Sequence, residues 1–183
     1  FSSYYAQLNV TGSGSVTTTG YITISSDNTV LRDIYIYYVG DDDSFYDYST
    51  NYAKVYINDR LDTTSAEGDS TGTINISATN TVNNTVYVED EIYYDYDNGS
   101  ENYAYIYVNS PYGIQTDLGD ITLSANNDVT NDIDIYYIDD YFYNYSDNYA
   151  KVYVGYTPIY SGSGNITLEA INEVYNTITV DDE

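Results

Sequence analysis

Cysteine, histidine, methionine and tryptophan are all absent from this 183-residue chain, and each absence removes a class of chemistry. Without cysteine there is no disulfide framework and no thiolate nucleophile or metal ligand. Without histidine the commonest general base and the usual zinc ligand are missing as well. Positive charge is nearly lacking: Arg32, Lys54, Arg60 and Lys151 stand against 29 acidic residues, a formal net charge of −25. A surface of that sign repels a phosphate backbone, so nucleic acid is not expected as a partner. No run approaches the roughly 18 consecutive apolar residues of a membrane span, so no membrane insertion is expected. Two-carboxylate glycoside hydrolysis is the enzymatic chemistry the composition still permits. The acidic residues recur in repeated loops and single out no pair, so the chain is expected not to be an enzyme and to require no cofactor. Because it opens on Phe1 and contains no methionine, a processed, extracellular or cell-surface protein is expected.

What is present is a repeat. Four segments beginning at Gly20, Gly72, Gly119 and Gly164 align without a gap. After each glycine an alternating strand places Ile22 and Ile24, Ile74 and Ile76, Ile121 and Leu123, or Ile166 and Leu168 on one face. Asn28, Asn80, Asn127 and Asn172 follow at one shared position, where an asparagine suits a turn. A second strand then carries Ile34 and Ile36, Val86 and Val88, Ile133 and Ile135, or Ile178 and Val180. Beyond an acidic loop comes a third strand, with Ala53, Val55 and Ile57 on one face and Tyr52, Lys54 and Tyr56 on the other.

The fourth copy ends at Glu183 without its third strand, whereas Tyr4, Ala6, Leu8 and Val10 near the N-terminus match that strand. Two such repeats have the size of an immunoglobulin-like sandwich of about 100 residues. The expected fold is therefore all-β: antiparallel immunoglobulin-like sandwiches built from three-strand tandem repeats, with an N-terminal donor strand. Residues 1–19 would be the donor strand and linker, 20–118 a first sandwich with its connector, and 119–183 a second, strand-deficient sandwich. Ile166, Leu168, Ile178 and Val180 would line the acceptor groove, exposed unless a strand covers them. This plan resembles donor-strand-complemented extracellular filament subunits of the pilin and archaeal-thread type, an architectural resemblance spanning the whole chain. It implies head-to-tail homopolymerisation, each N-terminal strand filling the next subunit's incomplete sandwich. The alternative is a monomeric module, closed in cis, that serves adhesion or carbohydrate binding.

Two sets of side chains are candidate sites. Sequons for N-linked glycans stand at Asn9, Asn75, Asn83, Asn98, Asn144 and Asn165; Asn9, Asn75 and Asn165 are expected to face outward and Asn98 and Asn144 to lie in the acidic loops. The acidic loops offer hard oxygen ligands for Ca2+ from Asp41, Asp43, Asp47, Glu89, Glu91, Asp95, Asp139 and Asp140, against the plainer reading of solvated charge runs. Outward tyrosines, 28 in the whole chain, are expected to pair across strands, with surface or glycan contacts as a further use.

Overall fold

In the computed structural model, which describes residues 2–11, 15–37, 45–92, 96–138 and 141–181, every regular element is a β-strand. The strands are β1 (Ser2–Val10), β2 (Ser15–Thr17), β3 (Ile22–Ile36), β4 (Phe45–Ile57), β5 (Arg60–Asp62), β6 (Ile74–Ile92), β7 (Tyr96–Val108), β8 (Ile114–Thr116), β9 (Ile121–Ile138), β10 (Phe142–Val154), β11 (Ile159–Ser161) and β12 (Ile166–Val180). They form three sheets, ordered β1-β4-β7-β10, β2-β5-β8-β11 and β3-β6-β9-β12, and every pairing is parallel. The chain therefore winds as a solenoid of four rungs, each contributing one strand to each of three walls.

This corrects the expected antiparallel sandwiches. Alternation with one wet face ordinarily marks an antiparallel sheet, because parallel sheets are usually buried on both faces. A solenoid escapes that rule: each wall buries one face against the others, and the return path to the next parallel strand is the rest of the rung. The expected boundary at residue 118 is crossed by the sheets, and the final rung has all three of its strands. The strand at the N-terminus is not an orphan either. Each rung simply begins with the long strand that the repeat had seemed to end on, and β1 pairs in register with β4, Ala6 beside Ala53 and Val10 beside Ile57.

The two strands expected on either side of Asn28 are one. Along β3 the burial alternates without a break from Ile22 through Ile24, Ser26, Asn28 and Val30, so the asparagine points inward where a turn was expected. Its equivalents stack on it: Asn28 Nδ2 donates to Asn80 Oδ1, Asn80 to Asn127 and Asn127 to Asn172, each at 2.8 Å. The same amides reach across to the facing wall, Asn80 Nδ2 to the Asn51 carbonyl at 3.3 Å and Asn127 Nδ2 to the Asn102 carbonyl at 3.2 Å. A second ladder climbs that wall, Asn51 to Asn102 to Asn148, again at 2.8 Å. In-register stacking pairs these buried amides with copies of themselves, as in cross-β structures, and leaves the Asn51 oxygen, which has Tyr4 beside it instead of an asparagine, without a donor among the described residues.

Apolar clusters flank this polar midline. Near the short wall, Ala53, Val55, Ile57, Leu61, Ile74 and Ile76 pack together with their equivalents on other rungs. Towards the acidic end, Val86, Val88, Tyr96, Ile133 and Ile135 form a second cluster. At the corner entering β6, β9 and β12, backbones approach so closely that only glycine fits. A Cβ on Gly72 would collide with the Gly20 carbonyl, one on Gly119 with that of Gly72, and one on Gly164 with that of Gly119.

Candidate assembly surfaces

Stacked rungs generate surfaces of two kinds, the outer faces of the walls and the two ends. On the outer face of β1-β4-β7-β10, identical residues again align. Tyr5, Tyr52, Tyr103 and Tyr149 form one column, with successive ring centroids 5.1, 5.0 and 4.7 Å apart and the rings nearly parallel. Tyr107 and Tyr153 stack at 5.0 Å in another column. Lys54 lies over Tyr52 at 4.1 Å and over Tyr103 at 4.6 Å, so a scarce cation sits against the rings. Burial within the stack, reinforced for Tyr103 by the Glu101 charge and for Tyr149 by Tyr103, pushes both phenols up to about 12. The alternation of the third repeat strand thus places tyrosines outward as expected, but each ring rests mainly on its own equivalent one rung away.

On the short wall, Asp62 accepts hydrogen bonds from Thr64 N–H at 2.8 Å, Thr64 Oγ1 at 2.7 Å and Gln115 Nε2 at 3.0 Å. Burial raises its pKa, but these bonds and the Arg60 charge outweigh burial and hold it below the ordinary carboxylate value.

The ends differ from the sides. In the third rung Ile121, Leu123, Ile133 and Ile135 are wholly buried, whereas their fourth-rung equivalents Ile166, Leu168, Ile178 and Val180 are 45, 52, 45 and 41 % exposed. The residues expected to line an acceptor groove are therefore the inward side chains of a rung with no further rung laid on it. At the other end Tyr4 and Leu8 are exposed on the free edge of β1, while Ala6 and Val10 are half-buried. The two sets lie at opposite ends of the solenoid and do not meet within one chain.

Amide polarity distinguishes the ends. In each asparagine ladder every bond runs from donor in the earlier rung to acceptor in the later one, including Asn84 to Asn131 to Asn176 at 2.7 Å and Asn98 to Asn144 at 3.2 Å. The fourth rung thus presents carboxamide N–H groups, and Asn28 on the first presents an oxygen.

Four of the sequons, Asn9, Asn75, Asn83 and Asn165, are exposed on strands or at their ends. Asn98 is 4 % exposed and points into the solenoid, where it donates to the half-buried Asn144; both lie within strands, not in loops. Of the calcium candidates, Asp41, Asp43, Asp95, Asp139 and Asp140 lie outside the described residues. Asp47 is bound instead to Arg32 at 2.8 Å, both side chains 11 % exposed. Glu89 is exposed, and Glu91 is placed by its backbone in β6 beyond a β-bulge. Among the described residues no three acidic groups converge as a metal site would require.

Sequence reasoning missed the inward asparagines, although a signal was available: Asn28 and its equivalents keep the same alternating phase as the isoleucines around them. No protein-family model, no curated protein and no solved structure matches this chain.

Proposed function

We propose that this chain is an extracellular structural subunit that assembles head to tail with copies of itself into a filament, using its two terminal rungs. The observation that carries the reading is the open fourth rung, whose inward aliphatic residues are about half exposed where the same positions one rung earlier are sealed. Exposed apolar faces on unpaired strand edges drive association unless they are covered. The sides suit the same role, because acidic walls repel one another and confine attraction to the ends. Strand insertion into a sandwich forms no part of this reading, since β1 is already paired with β4.

The test is electron microscopy with light scattering across ionic strength. With a net charge of −25 per chain, copies should stay apart at about 10 mM salt, where the Debye length is about 30 Å, and assemble at about 150 mM, where it is about 8 Å. Single-chain particles at every salt and protein concentration would overturn the proposal.

The tyrosine-lined outer face of β1-β4-β7-β10 favours a second reading, binding of carbohydrate at a surface. Saturable binding to an insoluble polysaccharide, lost in Tyr52→Ala and Tyr103→Ala variants, is the result that reading expects.

A further inference from the structure

The structure points to the register and direction of the junction: we infer that a second copy lays its first rung on the fourth rung of the first copy, parallel and with no offset. This rests on the head-to-tail reading and deepens it.

The argument is continuity of the ladders. The pairing registers connect position by position from the first rung to the fourth, so each residue of β12 has a known equivalent in β3. A fifth rung supplied by a copy's first rung sets Ile22 on Ile166, Ile24 on Leu168 and Val30 on Val174. On the facing wall the same step sets Tyr5 on Tyr149 and extends the ring column. Asn172 Nδ2, which already reaches the Asn148 carbonyl at 3.2 Å, has its second N–H available for Asn28 Oδ1 of the arriving copy. Two of the asparagine columns change residue type at the junction, Tyr4 following Asn148 and Arg32 following Asn176. An offset of one residue would set every inward side chain of one copy against an outward one of the other. Head-to-head stacking would oppose the Asn28 oxygens, and tail-to-tail stacking would oppose Asn172 N–H groups.

The chain's lack of cysteine makes the test clean. Thr23 and Thr167 are exposed, point outward and occupy the same column at opposite ends. Within one chain they are three strand spacings apart, about 14 Å, too far for a disulfide. Across the inferred junction they are one spacing apart, about 4.8 Å. A Thr23→Cys/Thr167→Cys double variant, treated under assembly conditions with an oxidant or a thiol–thiol linker no longer than one rung spacing, should give a ladder of covalent multimers on a non-reducing gel. Thr23→Cys with Ile171→Cys, offset by four residues or about 13 Å, should not. Covalent dimers from either single variant would overturn the direction, and cross-linking of the offset pair would overturn the register. Filaments visible by microscopy but never cross-linked by the in-register pair would overturn the junction while leaving the filament reading intact. Absence of any filament would remove both.

Discussion

Replacing Asn80 with alanine should destabilise the solenoid far more than the same change at Asn172. Asn80 is fully buried on the second rung, where it accepts from Asn28 and donates to both Asn127 and the Asn51 carbonyl. Three hydrogen bonds at about 1 kcal/mol net each are lost, and the buried Asn127 oxygen and Asn51 carbonyl each lose a donor, at about 1–3 kcal/mol for a stranded buried group. The expected loss is about 5–9 kcal/mol, a large share of the roughly 5–15 kcal/mol that holds a typical domain together. Asn172 accepts from Asn127 and donates to the Asn148 carbonyl, but it is exposed and water replaces what is removed. Its loss should be under about 1 kcal/mol. Urea unfolding followed by circular dichroism, at low ionic strength where copies stay apart, measures both. If the two variants fall within about 1 kcal/mol of each other, the ladder does not hold the walls together and the argument fails.

Gly119→Ala should cost more than about 2 kcal/mol, because its Cβ meets the Gly72 carbonyl, whereas Gly20→Ala, facing only Thr18 Oγ1 at 3.5 Å, should be nearly silent; thermal melts of the pair decide. Asp47→Asn alone should lose about 3–5 kcal/mol by stranding the buried Arg32 charge. Adding Arg32→Asn should recover most of it, since the later rungs carry Asn84 and Asn98 at the same positions and their Oδ1 atoms lack a partner among the described residues. Tyr103 and Tyr149, raised to about 12, keep their protons in the fold above the ordinary value of 10.0 while the unfolded chain loses them. Stability should therefore be unaffected by these groups below pH 10 and fall between pH 10 and 12, visible as phenolate absorbance appearing late and together with unfolding.

Much of the local geometry was legible in the sequence. The period of two assigned Val55 and Ile57 inward and Tyr52 and Tyr56 outward, and the gap-free alignment assigned equivalent positions. Strand direction was not legible, because alternation reports which face is wet and not which way the neighbour runs. The phase at which a repeat begins was likewise ambiguous: a cycle of three strands reads the same from any start, and choosing Gly20 made β1 look like a stray piece. What argued for stacking was identity at polar positions. A sandwich needs only apolar residues inward, whereas recurring Asn, Ser and Gly at one place are what like-on-like contact demands. Asn28, Asn80, Asn127 and Asn172 stand 52, 47 and 45 residues apart, and that uneven spacing is absorbed outside the ladders themselves.

The common direction of the backbone hydrogen bonds has a mechanical consequence. In all three walls those bonds run along the solenoid axis, so the molecule is a filled beam whose hydrogen-bonded fibres are parallel to its length. Bending must stretch one wall while compressing another, and neither can slide, because the asparagine amides tie facing walls at each rung. Axial tension, by contrast, acts in full on every inter-rung gap and is shared there by three sheets at once. Such an object resists flexing and parts at the junctions between copies, where no covalent chain crosses, so a rod assembled from it would break into whole subunits whose new ends carry the same faces that joined them before.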